Sequence, residues 1–148
     1  LGPHPLLLAA ADRRMREAGV WPGDPRTAVV LAAAGSSASD ATASVHGVAR
    51  HWARTGWWGV RAAFASASGP TVAEVVEGLR RRGAPRVVVA SYLLAPGRLP
   101  DRVRDQAYEA GAALVTEPLG AADEVARLVL ARYAEGSAAL GHLVSGAA

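Results

Sequence analysis

The sequence predicts an α/β fold: a three-layer αβα domain with a four-stranded parallel sheet in strand order 2-1-3-4. Two observations predict it. Apolar runs rich in β-branched residues alternate with segments of helical length, the pattern of strand–helix–strand crossovers. Each of the first three runs also stops at a glycine-bearing turn, at Gly35, at Gly69-Pro70 and at Pro96-Gly97, and a helix start follows. Parallel strands need such crossovers, and crossovers of one hand leave few strand orders. In the order 2-1-3-4 the winding reverses between strands 1 and 3, so a ligand crevice is expected beyond their carboxyl ends.

The elements follow in order. Residues 6–18 read as a helix, with Pro5 in its first turn and Gly19 ending it. Trp21-Pro22-Gly23-Asp24-Pro25 cannot continue either kind of element, so 21–26 is a linker. Strands are expected at 27–34, 58–66, 86–94 and 112–116. Helices are expected at 41–54, with Asp40 as its cap, from Pro70-Thr71 to Arg80-Arg81-Arg82, at 99–110 and at 123–135. The α/β domain itself covers 27–136. The small residues of 137–148 read as a flexible tail.

A faint repeat joins the two ends. Shifted by 118 residues, Leu1-Gly2 falls on Leu119-Gly120, Leu7 on Val125, Arg14 on Arg132, Met15 on Tyr133 and Glu17 on Glu135. On this reading residues 1–20 are the last helix of a preceding copy of the same domain. The first residue is Leu1 and not Met, so the chain reads as a processed product or as part of something longer.

Composition narrows the function classes. The chain has 148 residues, is 51% hydrophobic and 20% charged, which is globular and not disordered. All sixteen basic residues are Arg, and the net charge of +3 is too small to make nucleic acid the expected partner. Cysteine is absent, which removes disulfides, thiolate metal sites and cysteine nucleophiles and fits a cytoplasmic protein. No apolar run approaches the roughly 18 residues of a membrane span.

Candidate site residues cluster in the turns. The backbone N–H groups of Gly35-Ser36-Ser37 can hold an anion at a helix start, and the same residues also suit a plain tight turn. Ser66-Ala67-Ser68-Gly69-Pro70 is the equivalent loop after strand 2 and carries the same ambiguity. Arg98 and Arg102, four apart after the strand 3 loop, can meet ligand carboxylates or form a solvated helix face. His46 and His51 are five apart on one helix, a rotation of about 140°, so they do not share a face as metal ligands would. His4 and His142 stand apart from other ligand types, and no metal-binding spacing occurs. Trp52, Trp57 and Trp58 read as packing residues around the entry to strand 2.

Several segments resemble the sirohydrochlorin chelatases, the class II cobalt and iron chelatases of cobalamin and sirohaem biosynthesis. Ala28-Val29-Val30-Leu31-Ala32-Ala33-Ala34-Gly35-Ser36-Ser37 is similar to that family's first strand ending in His-Gly-Ser-Arg. Arg61-Ala62-Ala63-Phe64 leading to Pro70-Thr71-Val72-Ala73-Glu74 is similar to its second strand and following helix. Residues 87–103 are similar to its third strand and a loop ending near His-x-Arg. Leu119-Gly120 and Leu1-Gly2-Pro3-His4-Pro5 both look like its Leu-Gly-Pro-x-Pro helix start.

The resemblance implies a flavodoxin-like domain, tandem copies in long forms, and a polycarboxylated tetrapyrrole into which a divalent Co or Fe ion is inserted. It also implies two histidines that deliver the metal and accept pyrrole protons, as neutral imidazole can near neutral pH. Here their positions hold Ala34 and Pro100, and a family acidic residue is replaced by Ser66. The expectation is therefore a C-terminal lobe with no catalytic residue and no metal or cofactor of its own. Ser36, Ser37, Ser66, Arg98 and Arg102 are its substrate-binding candidates. The expected partners are the tetrapyrrole and an upstream copy or homodimer mate, with neither nucleic acid nor membrane. A structural or dimerisation domain, or a module for another small anion, is the alternative.

Overall fold

The computed structural model describes residues 4–66 and 69–146. Leu1-Gly2-Pro3 of the expected helix start, Ala67 and Ser68 of the loop after strand 2, and Ala147-Ala148 lie outside the described residues. The order is α1 (Pro5–Glu17), β1 (Thr27–Ala33), α2 (Ser39–Ala53), β2 (Gly59–Phe64), α3 (Val72–Arg81), β3 (Arg86–Ser91), α4 (Arg98–Ala110), β4 (Leu114–Val115) and α5 (Asp123–Gly146). The four strands form one parallel sheet in the order β2-β1-β3-β4. This is the flavodoxin-like αβα arrangement expected from the sequence.

The strands explain their own positions. Every residue of β1 is buried, as a central strand covered on both faces must be. Its side chains alternate between two cores: Val29 and Leu31 face α1, α2 and α5, while Ala28, Val30 and Ala32 face α3 and α4. In the edge strand β2, Arg61 is exposed, a charge that protects an open edge from pairing. Strand ends differ from the sequence reading. β3 stops at Ser91 instead of residue 94, and β4 keeps two residues of the expected five. Beyond Tyr92, whose N–H still reaches Ala32 O, the chain leaves the ladder for loop–loop bonds, Leu119 N–H to Leu93 O and Gly120 N–H to Leu94 O, each 2.8 Å.

α3 starts at a capping box: Thr71 Oγ1 accepts from Glu74 N–H and Glu74 Oε2 accepts from Thr71 N–H, both at 3.2 Å. α2 starts earlier than expected and Asp40 does not cap it. Ala38 occupies the cap position without a side-chain bond, and Asp40 lies in the first turn, where its charge favours the helix dipole.

α1 is part of this domain's core. Leu7, Ala10, Ala11 and Met15 are buried among residues of α2, α5 and the sheet. Arg13 ties α1 to Glu124 of α5 at 2.8 Å, and Trp52 Nε1 of α2 donates to Asp12 Oδ1 at 2.9 Å. The larger difference lies at the C-terminus. α5 continues through Gly136 to Gly146, so the segment read as a tail is helical over its described residues, and every described residue beyond 130 is exposed. Gly136, where the sequence reading ends the helix, and Gly141 each cost a helix interior about 1 kcal/mol relative to Ala, and the helix runs on through both.

Candidate functional site

The carboxyl ends of β1, β2 and β3 meet where the sheet changes winding direction. The floor is built by main-chain bonds that run past the strands. Ala65 N–H donates to Ala33 O at 2.9 Å, Ser66 N–H to Ala34 O at 3.0 Å, and Tyr92 N–H to Ala32 O at 2.8 Å. Gly35 has φ +98°, and a Cβ on it would run into the Ser66 carbonyl. The first two loops are thus pressed together in a way that only glycine allows.

The candidate residues fall into two groups. Ser66 Oγ donates to Ala34 O at 2.7 Å, tying the β2 loop to the β1 loop. Ser36 Oγ accepts from Ala38 N–H at 3.1 Å, which leaves its own O–H proton free to donate outward. Ser37 is exposed beside it. The second group stands on the first turns of α4, where Arg98 and Arg102 are exposed and, among the described residues, make no ion pair. Arg104 instead pairs with Glu117 at 3.1 Å. Two donors that face water and sit near a helix N-terminus suit anionic groups.

Ala34 and Pro100 occupy the positions at which the resemblance places histidines. Ala34 is half-buried at the end of β1. Pro100 lies in the first turn of α4, where its missing N–H needs no partner. The four histidines lie elsewhere. His46 stacks edge-on against Phe64, the last residue of β2, with ring centroids 5.5 Å apart. His51 and His4 border a groove of about 590 Å³ between α1 and α2. His4 caps α1, its Nδ1 accepting from Leu6 N–H at 3.1 Å. His142 is exposed on α5. Among the described residues no three His, Asp or Glu side chains gather as a metal site. Trp52 and Trp57 are buried and pack edge to face at 5.6 Å.

Two polar groups at the end of β3 went unnoticed in the sequence because they sit inside its apolar run. Ser91 is 3% exposed, and its Oγ has no partner among the described residues; the Tyr92 hydroxyl is likewise buried and unpaired. Burial pushes the Tyr92 phenol up to about 12, so it keeps its proton at neutral pH. The site edge offers the hydroxyls of Ser36 and Ser37 and the guanidiniums of Arg98 and Arg102 as donors, and no general base or metal ligand stands at Ala34, Ser66 or Pro100.

The fold is shared with solved proteins. SirB from Bacillus subtilis, solved with Fe3+, superposes with a TM-score of 0.76 at 24% identity, over 90% of this chain and 54% of the SirB chain. The present chain thus spans about half of SirB. A CbiX protein of Marinobacter aquaeolei VT8, assigned to cobalamin (vitamin B12) biosynthesis, superposes with a TM-score of 0.56 at 21% identity, over 78% of this chain and 98% of its own. No curated protein matches the chain in sequence. The model of the CbiX family matches residues 28–136, from the start of β1 into α5. With the sheet order and that match in agreement, the chain belongs to the CbiX family.

Proposed function

We propose that this chain is the C-terminal lobe of a sirohydrochlorin chelatase-like protein, forming one wall of a tetrapyrrole cleft without performing the metal insertion itself. The observation that carries this reading is the chemistry of the crevice edge: donors for carboxylates are present, while the positions that would deliver a metal and accept pyrrole protons are Ala34 and Pro100. The Co or Fe ion is substrate in this reaction, taken up at the partner lobe and not here.

The chain's own residues then have defined tasks. Arg98 and Arg102 meet ligand carboxylates from the start of α4. The free O–H of Ser36 adds a donor from the β1 loop, with Ser37 beside it. Ser66 holds the β1 and β2 loops together, and its oxygen can still accept. The likeness of α1 to the start of α5 supports an upstream copy as the partner lobe; a homodimer mate would serve the same purpose.

Titration of sirohydrochlorin into the chain, followed by absorbance at low and high salt, tests the reading. Weak binding that declines with salt, and declines at least several-fold in Arg98→Ala and Arg102→Ala, is expected, because exposed ion pairs are screened. Absence of binding by a folded chain would leave a structural lobe. Binding indifferent to salt and to both substitutions would remove the arginines from the site.

A further inference from the structure

A groove of about 430 Å³ lies along the outer edge of β2, bounded by α2 and α3. Three guanidiniums line it: Arg61 from β2, and Arg81 and Arg82 from the end of α3. All three residues are exposed, and among the described residues none of them makes an ion pair. No carboxylate of the described residues lines the groove, and Glu77 borders a separate hollow with Arg80 and Arg81. Val75 and Leu79 supply an apolar wall. His46 faces the groove from α2, its ring set edge-on against Phe64.

Gly78 is the second observation. It stands in the interior of α3, where a glycine weakens the helix. Its backbone is helical, and a Cβ on it would meet nothing within 4 Å. Neither backbone geometry nor packing calls for a glycine there. Gly78 lines the groove, and its missing side chain keeps the α3 wall open. The arginines have ordinary uses one by one: the helix dipole favours Arg81 and Arg82, and Arg61 guards a sheet edge. Those uses do not explain why the three gather on one groove beside an open glycine.

We propose that this groove binds a small phosphate monoester, its phosphate among the three guanidiniums and its apolar body against Val75, Leu79 and the bare face of Gly78. Charge selects the phosphate. A monoester carries a charge of about −1.5 to −2 and three acceptor oxygens, which suits a cluster of guanidiniums better than a single carboxylate does. Size selects the ester. The groove falls within the roughly 300–1,000 Å³ of small-molecule sites, so it has room for a body beyond the phosphate. The site lies apart from Arg98 and Arg102 on α4 and does not depend on the tetrapyrrole reading.

Titration of phenyl phosphate into the full chain at low salt, read by calorimetry, is the test, with circular dichroism confirming that each variant folds. Saturable binding is expected, weakening as salt rises. Inorganic phosphate and phenol should each bind at least roughly ten-fold more weakly, since each carries one half of the recognised group. Arg61→Gln, Arg81→Gln and Arg82→Gln should each weaken binding by about five-fold or more. Gly78→Leu should weaken it by roughly ten-fold without lowering the denaturation midpoint, because leucine favours a helix and enters open space. Arg132→Gln on α5 removes the same charge elsewhere and should leave binding unchanged. A folded chain with no saturable binding of phenyl phosphate overturns the inference. So does binding no tighter than that of inorganic phosphate, binding that the groove variants leave intact, or binding that Arg132→Gln weakens as much as they do. None of these outcomes involves sirohydrochlorin, so they leave the ligand titration to be judged separately.

Discussion

The Ser66 carbonyl oxygen occupies the place where a side chain on Gly35 would begin. The contact closes the β1 loop onto the β2 loop at the carboxyl ends of the strands. It also requires the left-handed backbone of Gly35, at φ +98°. Gly35→Ala therefore combines an unfavourable φ with a collision against main chain, and should cost more than about 2 kcal/mol. Gly78→Ala in α3, where a Cβ meets nothing, should stabilise by about 0.5–1 kcal/mol. Chemical denaturation of the two variants beside the parent reads both signs.

The entry to α3 is tied to the end of β2: Phe64 N–H donates to Pro70 O at 2.9 Å, one residue before the capping box of Thr71 and Glu74. Thr71→Ala removes the side-chain half of the box and should lower stability by about 1 kcal/mol, while Thr71→Ser should keep most of it. An alanine variant as stable as the parent would show that the cap contributes nothing.

Asp12 gives a pH signature. Burial raises its carboxyl above 3.8, outweighing the Trp52 hydrogen bond and the Arg16 charge, which both lower it. The folded chain then binds this proton more tightly than the unfolded one. The stability gained is complete below the unfolded value and is lost as pH rises through the folded value. Asp12→Asn keeps an acceptor for Trp52 Nε1 and carries no charge to desolvate. It should be more stable than the parent at neutral pH, and the difference should vanish below about pH 3.8. Denaturation midpoints at pH 3 and pH 7 decide it; a variant less stable than the parent at pH 7 contradicts the burial argument.

Much of this was legible in the sequence, for physical reasons that vary along the chain. β1 and β3 announced themselves because fully covered parallel strands must be continuous apolar runs, and Gly35 marked the turn that follows β1. The strand ends were overrun because Tyr92, Leu93 and Leu94 are as apolar as a strand although they lie in a loop. α5 was cut short because Gly136 and Ser137 look like a stop, whereas the helix runs on to Gly146. At the crevice, residue types could be read but not their hydrogen bonds. Ser36 and Ser66 appeared equivalent, yet Ser66 gives its proton to Ala34 and Ser36 keeps its own. The unpaired hydroxyls of Ser91 and Tyr92 had no sequence signal, since an unsatisfied group is a property of its neighbours.

Stopped-flow measurement of Co2+ insertion into sirohydrochlorin tests the central claim most directly, because it asks whether a crevice edged by Ala34, Ser66 and Pro100 can perform the reaction. For the folded, isolated chain the account predicts the spontaneous rate, unchanged by His46→Ala or His51→Ala. A clear rate enhancement that either substitution abolishes would place the missing imidazole on α2 and contradict the account.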